Sequence, residues 1–227
     1  MLRAKFPRVR KVLAVLAVVA VLVTTFATFV SIDTDETASP TTTTTTAPVS
    51  TEDLGPAAQE LVALLEAAKD ETYHAEFEGT SPESPDSVIR LETWQRPPFV
   101  RQDSSLTVAG QLARTASFAL PDGGVRCTRI GEQPWSCRSA GPGELSADAL
   151  SGSVLERLAT SDVRVRSTAV DGVDVKCFTL TSATEGSSEL CVDEAGVAVR
   201  VRSGGSELRR VVFDAQVGDD SVFEPPA

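Results

Sequence analysis

Apolar and polar positions alternate along most of the chain, and the period changes from helical to extended near residue 70. Gln59 to Lys69 places Leu61, Leu64, Leu65 and Ala68 on one face of a helix, which Ser50 or Thr51 would cap if it starts early. In Tyr73-His74-Ala75-Glu76-Phe77-Glu78, alternation puts Tyr73, Ala75 and Phe77 on one side and His74, Glu76 and Glu78 on the other. Val88 to Trp94 predicts a second strand, interrupted at Arg96-Pro97-Pro98 because proline donates nothing to a ladder, and Phe99 to Leu106 resumes the sheet.

Thr115 to Leu120 and Val125 to Arg129 flank Pro121-Asp122-Gly123-Gly124, a hairpin turn, and Gly131 to Pro134 makes the next turn. Glu144 to Thr160 predicts a second helix, with Leu145, Leu150, Val154, Leu155 and Leu158 as its stripe. Val163 to Val170 and Val173 to Leu180 flank Asp171-Gly172, which suits a two-residue turn and sets Val163 and Val165 opposite Leu180 and Phe178. Leu190 to Asp193, the turn Glu194-Ala195-Gly196, Val197 to Arg202 and Glu207 to Asp214 complete the pattern. The order is helix, strands, helix, strands, so an α+β domain is expected, an antiparallel meander covered by helices on one face.

The beginning of the chain is different. Val12 to Ile32 carry no charge and follow Arg3, Lys5, Arg8, Arg10 and Lys11. About twenty helical residues span the hydrocarbon core, and a basic flank stays cytoplasmic. This predicts one N-terminal transmembrane helix with a cytoplasmic amino terminus and an extracytoplasmic remainder. The rival is a cleaved export signal, with Val12 to Val23 as its apolar core and Thr25-Phe26-Ala27 as its processing site. Three regions result: 1–32 as basic tail and anchor, 33–50 as a Thr/Pro-rich linker containing the run Thr41 to Thr46, and 51–227 as one domain. There is no Asn, hence no N-glycosylation sequon, and a glycan on the linker would sit on threonine.

Charge narrows the partners. The chain holds 21 basic and 32 acidic residues; five of the basic ones precede Val12 and every acid follows Ile32, so the remainder carries 16 against 32, a net charge of −16. Such a surface repels phosphate backbones and excludes nucleic acid as a partner. Four cysteines, Cys127, Cys137, Cys177 and Cys191, read as two disulfides in an exported domain. Three connectivities exist; each neighbouring pair brackets one turn, which favours Cys127 with Cys137 and Cys177 with Cys191. Neither spacing is the close type of a zinc site, and no metal is expected.

Catalysis finds little to use. His74 is the single histidine, no G-x-S-x-G elbow occurs, and alternation sets His74 on a charged face. The acids Asp70, Glu71, Glu76 and Glu78 lack the spacing of a calcium loop. Arg164, Arg166, Arg200 and Arg202 alternate with valines, forming either an anion-binding stripe or cross-strand pairs with carboxylates. No cofactor and no enzymatic activity are expected.

The opening Leu-rich helix, the strand Tyr73 to Glu78, the break at Arg96-Pro97-Pro98 followed by Arg101, the segment Gly172 to Phe178, the hairpin Cys191 to Val197 and the ending Val222-Phe223-Glu224-Pro225-Pro226 together resemble the carrier superfamily of LolA, LppX, LprG and RseB. The likeness covers nearly all of residues 54 to 227 and is greatest to actinobacterial members, although their lipobox cysteine is missing. It implies a curved sheet, a half-open β-barrel, with helices on its concave face around an apolar cavity. Carried onto this chain, the wall of that cavity would be Leu61, Leu64, Leu65, Tyr73, Phe77, Ile89, Leu91 and Phe118. The implied function is a membrane-tethered extracytoplasmic protein binding a lipid or a lipoprotein acyl chain. The alternative is a regulatory or structural ectodomain with a filled core that contacts an envelope protein.

Overall fold

The structure, a computed structural model, describes residues 50–81, 84–108, 111–140, 155, 157–183 and 186–226. A single 3-10 turn, Thr51–Asp53, leads into helix α1, Pro56–Ala68. Pro56 occupies the first helical position, where its missing N–H costs nothing, and Gln59 reaches back to the carbonyl of Leu54 at 2.9 Å. Ser50 caps the 3-10 turn, its Oγ accepting from Glu52 N at 3.3 Å. At the other end, the side-chain amide of Gln95 donates to the carbonyls of Lys69 and Glu71 at 3.1 and 3.0 Å, which satisfies acceptors the helix leaves open.

Eleven strands follow: β1 Tyr73–Ser81, β2 Ser84–Arg96, β3 Phe99–Val108, β4 Gln111–Leu120, β5 Gly123–Ile130, β6 Ser136–Ala140, β7 Asp162–Val170, β8 Val173–Ser182, β9 Gly186–Val192, β10 Ala198–Ser203 and β11 Ser206–Asp214. They form one sheet in the order β6-β5-β4-β3-β2-β1-β11-β10-β9-β8-β7, with every pairing antiparallel. A last 3-10 turn, Asp220–Phe223, sets Phe223 against Phe99, ring centroids 5.6 Å apart. The peptide bond Pro97–Pro98 is cis.

Two expectations are overturned. The half-open barrel with helices on its concave face is replaced by an eleven-stranded open sheet whose end strands, β6 and β7, do not pair. Short connections set β1 to β6 side by side and β7 to β11 side by side, and the β1–β11 pairing joins these two meanders edge to edge rather than closing them. Helical cover is correspondingly small: among the described residues, α1 is joined by two 3-10 turns and by helical residues 155 and 157–159. Most of the expected helix Glu144 to Thr160 lies outside the described residues.

The second correction concerns the membrane. Among the described residues no helix is long and apolar enough to cross one; α1 has 13 residues. The transmembrane helix and the single-pass placement at the cell membrane are therefore not carried forward. The segment Val12 to Ile32 and the linker to residue 49 lie outside the described residues.

Two-residue turns set the register where the sequence said they would. Asp171 and Gly172 both take positive φ, 50° and 84°, and Val163 meets Leu180 while Val165 meets Phe178. Gly196 matters for close approach instead. At φ 80° a Cβ there would sit 2.0 Å from the carbonyl oxygen of Leu64, so only glycine lets the β9–β10 turn touch the backbone of α1.

Candidate functional site

The main core lies between α1 and one face of the sheet. Leu61, Phe77, Ile89, Leu91, Phe178, Leu190, Val201 and Leu208 are buried together there, with Leu64, Leu65 and Tyr73 packed at the margin. Seven of the eight residues expected to wall a cavity are thus in one cluster. The eighth, Phe118, is fully buried in a separate cluster with Ala116 and Cys127, closed by Val125 and Trp135. Register explains the separation. Phe118 pairs with Arg101 and Arg101 with Trp94, whereas Leu91 pairs with Ser104, so Phe118 and Leu91 point to opposite faces of the sheet.

Between α1 and the sheet is a cleft lined by Leu61, Leu65, Arg157, Leu180, Leu190 and Val201 among others, and it encloses about 20 Å³. That is room for about one water molecule.

Both disulfides form as the sequence pattern suggested, Cys127 with Cys137 and Cys177 with Cys191. Each joins residues directly opposite on adjacent strands, with Cα atoms 4.0 and 3.9 Å apart. Over the second lies an ionic network. Glu189 accepts from Arg166 at 2.7 Å and from Arg200 at 2.8 Å, and Arg200 Nη2 also lies 3.5 Å from Cys191 Sγ. Burial alone would raise the Glu189 carboxyl, yet the bonds from Arg166 and Arg200 hold it below the usual carboxylate range. Glu207 behaves alike between Arg202 and Arg209. Arg164 pairs with Asp162 at 3.0 Å, so each arginine of the alternating stripe meets a carboxylate.

On the outer face, the face away from α1, His74, Trp94, Arg101 and Phe118 form a cross-strand row over β1 to β4. His74 stacks on Trp94 at 5.1 Å, and the Arg101 guanidinium lies 4.5 Å from the Trp94 ring and 5.3 Å from Phe118. His74 Nε2 is 2.9 Å from Glu92 and 3.9 Å from Glu76, an arrangement with three possible metal-ligand atoms close together. The hydrogen bond to Glu92 and the stacking on Trp94 already account for the placement of His74.

By sequence, no known family matches the chain, and no curated protein does either. Solved structures include distant likenesses. An uncharacterized conserved protein from Thermus thermophilus shares 12% identity over 74% of this chain and 94% of that one, with a TM-score of 0.49. MucB, in complex with MucA(peri), shares 15% identity over 75% of this chain and 60% of that one, with a TM-score of 0.44. The likeness to the carrier superfamily is one of sequence pattern.

The sequence pattern did not single out one region. β10 pairs with β11 only from Ser206 to Arg209, while β11 continues to Asp214 along β1. A bulge opposite Glu76 and Phe77 inserts Val211, and Val211, Val212 and Phe213 are 52%, 40% and 45% exposed. Phe213 stacks on Tyr73 at 6.1 Å and lies under the Arg210 guanidinium at 4.4 Å; Arg210 in turn donates to Asp193 at 2.8 Å. Burial, then the charge of Asp193, pushes the Tyr73 phenol up to about 12 against the pull of Arg210. A signal for the region was available: three successive apolar residues break the period of two without a second apolar strand to bury them.

Proposed function

We propose that this chain is a non-catalytic interaction domain that acts through its surface on a protein partner, its apolar interior being used for its own packing. The observation that supports the reading is the size of the cleft beneath α1. Ligand sites for small molecules run from roughly 300 to 1,000 Å³, and this cleft encloses about 20 Å³. Seven of the eight residues assigned to a cavity wall instead pack into one core cluster, and burial of their surface is worth roughly 25 cal/mol per Å² to the fold itself. No covalent step is assigned, since His74 commits its Nε2 to Glu92.

Organic extraction of the purified full-length protein, followed by mass spectrometry, tests this together with titration of a fluorescent fatty acid. The expected outcome is a lipid-free extract and no saturable uptake. A stoichiometric acyl lipid released from the protein would replace the interaction reading with a carrier.

A further inference from the structure

We propose that the open edge of β11 at Arg210–Asp214 docks an extended protein segment that alternates apolar side chains with lysine or arginine and joins the sheet as an added strand. The assignment rests on the interaction reading above and gives it a place and a partner chemistry.

The backbone is the first support. A strand offers alternate N–H and C=O groups to each side, and from Arg210 onward only the β1 side is taken. Among the described residues no main-chain hydrogen bond joins this stretch to the β9–β10 turn, which leans instead on α1 through Gly196. Val211-Val212-Phe213 carries neither lysine nor proline; the guards this edge does have are the bulge at Val211 and the charges at its two ends, Arg210 and Asp214. What is presented is apolar: three consecutive side chains, each at least two-fifths exposed. Added strands bind by their main chain and are selected by the side chains they set into neighbouring positions.

Charge chooses among occupants. The two arginines at this end are spoken for, Arg210 by Asp193 and Arg209 by Glu207. Glu194 and Asp214 are exposed and form no ion pair among the described residues, and Glu76 stands across from Val212. The rim is thus acidic, on a chain whose formal net charge is −11. A second copy would bring the same acids to the edge and be repelled, and the chain's own threonine run, Thr41 to Thr46, brings no cation. An apolar segment with interleaved cations satisfies both the side chains and the field.

The test uses the full chain and three labelled peptides: eight residues alternating valine with lysine, the same with glutamate for lysine, and the lysine peptide with prolines at alternate valines, which keeps charge and removes donors. Fluorescence anisotropy should show micromolar binding of the first peptide, weakened by salt, and at least tenfold weaker binding of the other two. Val211→Lys, at an exposed position, should leave the melting temperature in place and reduce binding at least tenfold. Hydrogen exchange should slow at residues 210–214 on addition of the peptide.

Equal binding of the proline peptide, protection elsewhere on the sheet, or indifference to Val211→Lys would overturn the assignment. Self-association in sedimentation that Val211→Lys abolishes would give the edge to a second copy, also against it. None of these results touches the lipid extraction above, so a failed edge and a failed interaction reading remain distinguishable.

Discussion

Along the face beneath α1, one cross-strand row runs Phe77, Leu91, Ser104, Thr115, Thr128; directly behind it, on the outer face, another runs Glu76, Glu92, Asp103, Ala116, Cys127. The first row passes from apolar to polar at β3, and the second passes from acidic to apolar just beyond. The sheet therefore changes the side on which it buries its hydrocarbon: toward the helix in the strands around β1, outward in β4 and β5. From β2 to β5 the pairing runs without a register shift, so the strands themselves stay regular there; what changes is the layer that covers them. Among the described residues, α1 and helical residues 155 and 157–159 cover only part of that face; β4 and β5 close a small cluster on the other side, and β7 to β10 add a second one behind the face that the main core covers.

The strongest way to break this contrast is to substitute along the first row. Leu91→Ala should cost about 2 to 5 kcal/mol, the range for emptying a filled core position, whereas Thr128→Val, on the exposed part of the same row, should stay within about 0.5 kcal/mol. Urea unfolding measures both. A Thr128→Val cost comparable with that of Leu91→Ala would mean that the polar stretch is as closely packed as the helix-covered one.

The two disulfides sharpen the same contrast at the outer face. Removing either as a pair of alanines should lower stability by roughly 2 to 4 kcal/mol, and separations of 10 and 14 residues predict nearly equal entropic losses. Cys177 and Cys191 are both fully buried while Cys137 is exposed, so the Cys177–Cys191 pair should be the costlier in thermal melts. Equal losses would assign the whole effect to chain restriction.

The smallest expected effect is that of pH. Because the Glu189 carboxyl lies below its usual range in the folded chain, its contribution is complete above about pH 4.5 and is lost as pH falls through the folded value. Glu189→Gln should cost roughly 1 to 3 kcal/mol at neutral pH by loosening Arg166 and Arg200, and should flatten the decline of melting temperature as pH falls below about 4.5. An unchanged acid limb would mean that other carboxylates govern it.

Local chemistry was legible where it is self-contained. Asp171-Gly172 dictated both a turn and a register, and the cysteines, Arg200 and Arg202 found their partners across strands that hairpins had already placed side by side, whereas Arg164 pairs along its own strand and Arg166 reaches from β7 to β9. Phe118 was not legible in the same sense, because alternation says which residues share a side of a strand and not which side of the sheet a helix will cover. Closure was hidden too: whether β6 and β7 meet depends on accumulated tilt and stagger over eleven strands, and no short segment encodes that. Val211 to Phe213 read simply as part of the last strand, Glu207 to Asp214, and nothing in that reading shows that β10 parts from β11 before reaching it.

The Cys127–Cys137 bridge spans the turn that contains Gly131 to Pro134. A protease that nicks this turn would leave both halves of the chain covalently joined and the β5–β6 ladder in place. Such damage would pass unseen on a non-reducing gel and appear only after a thiol is added.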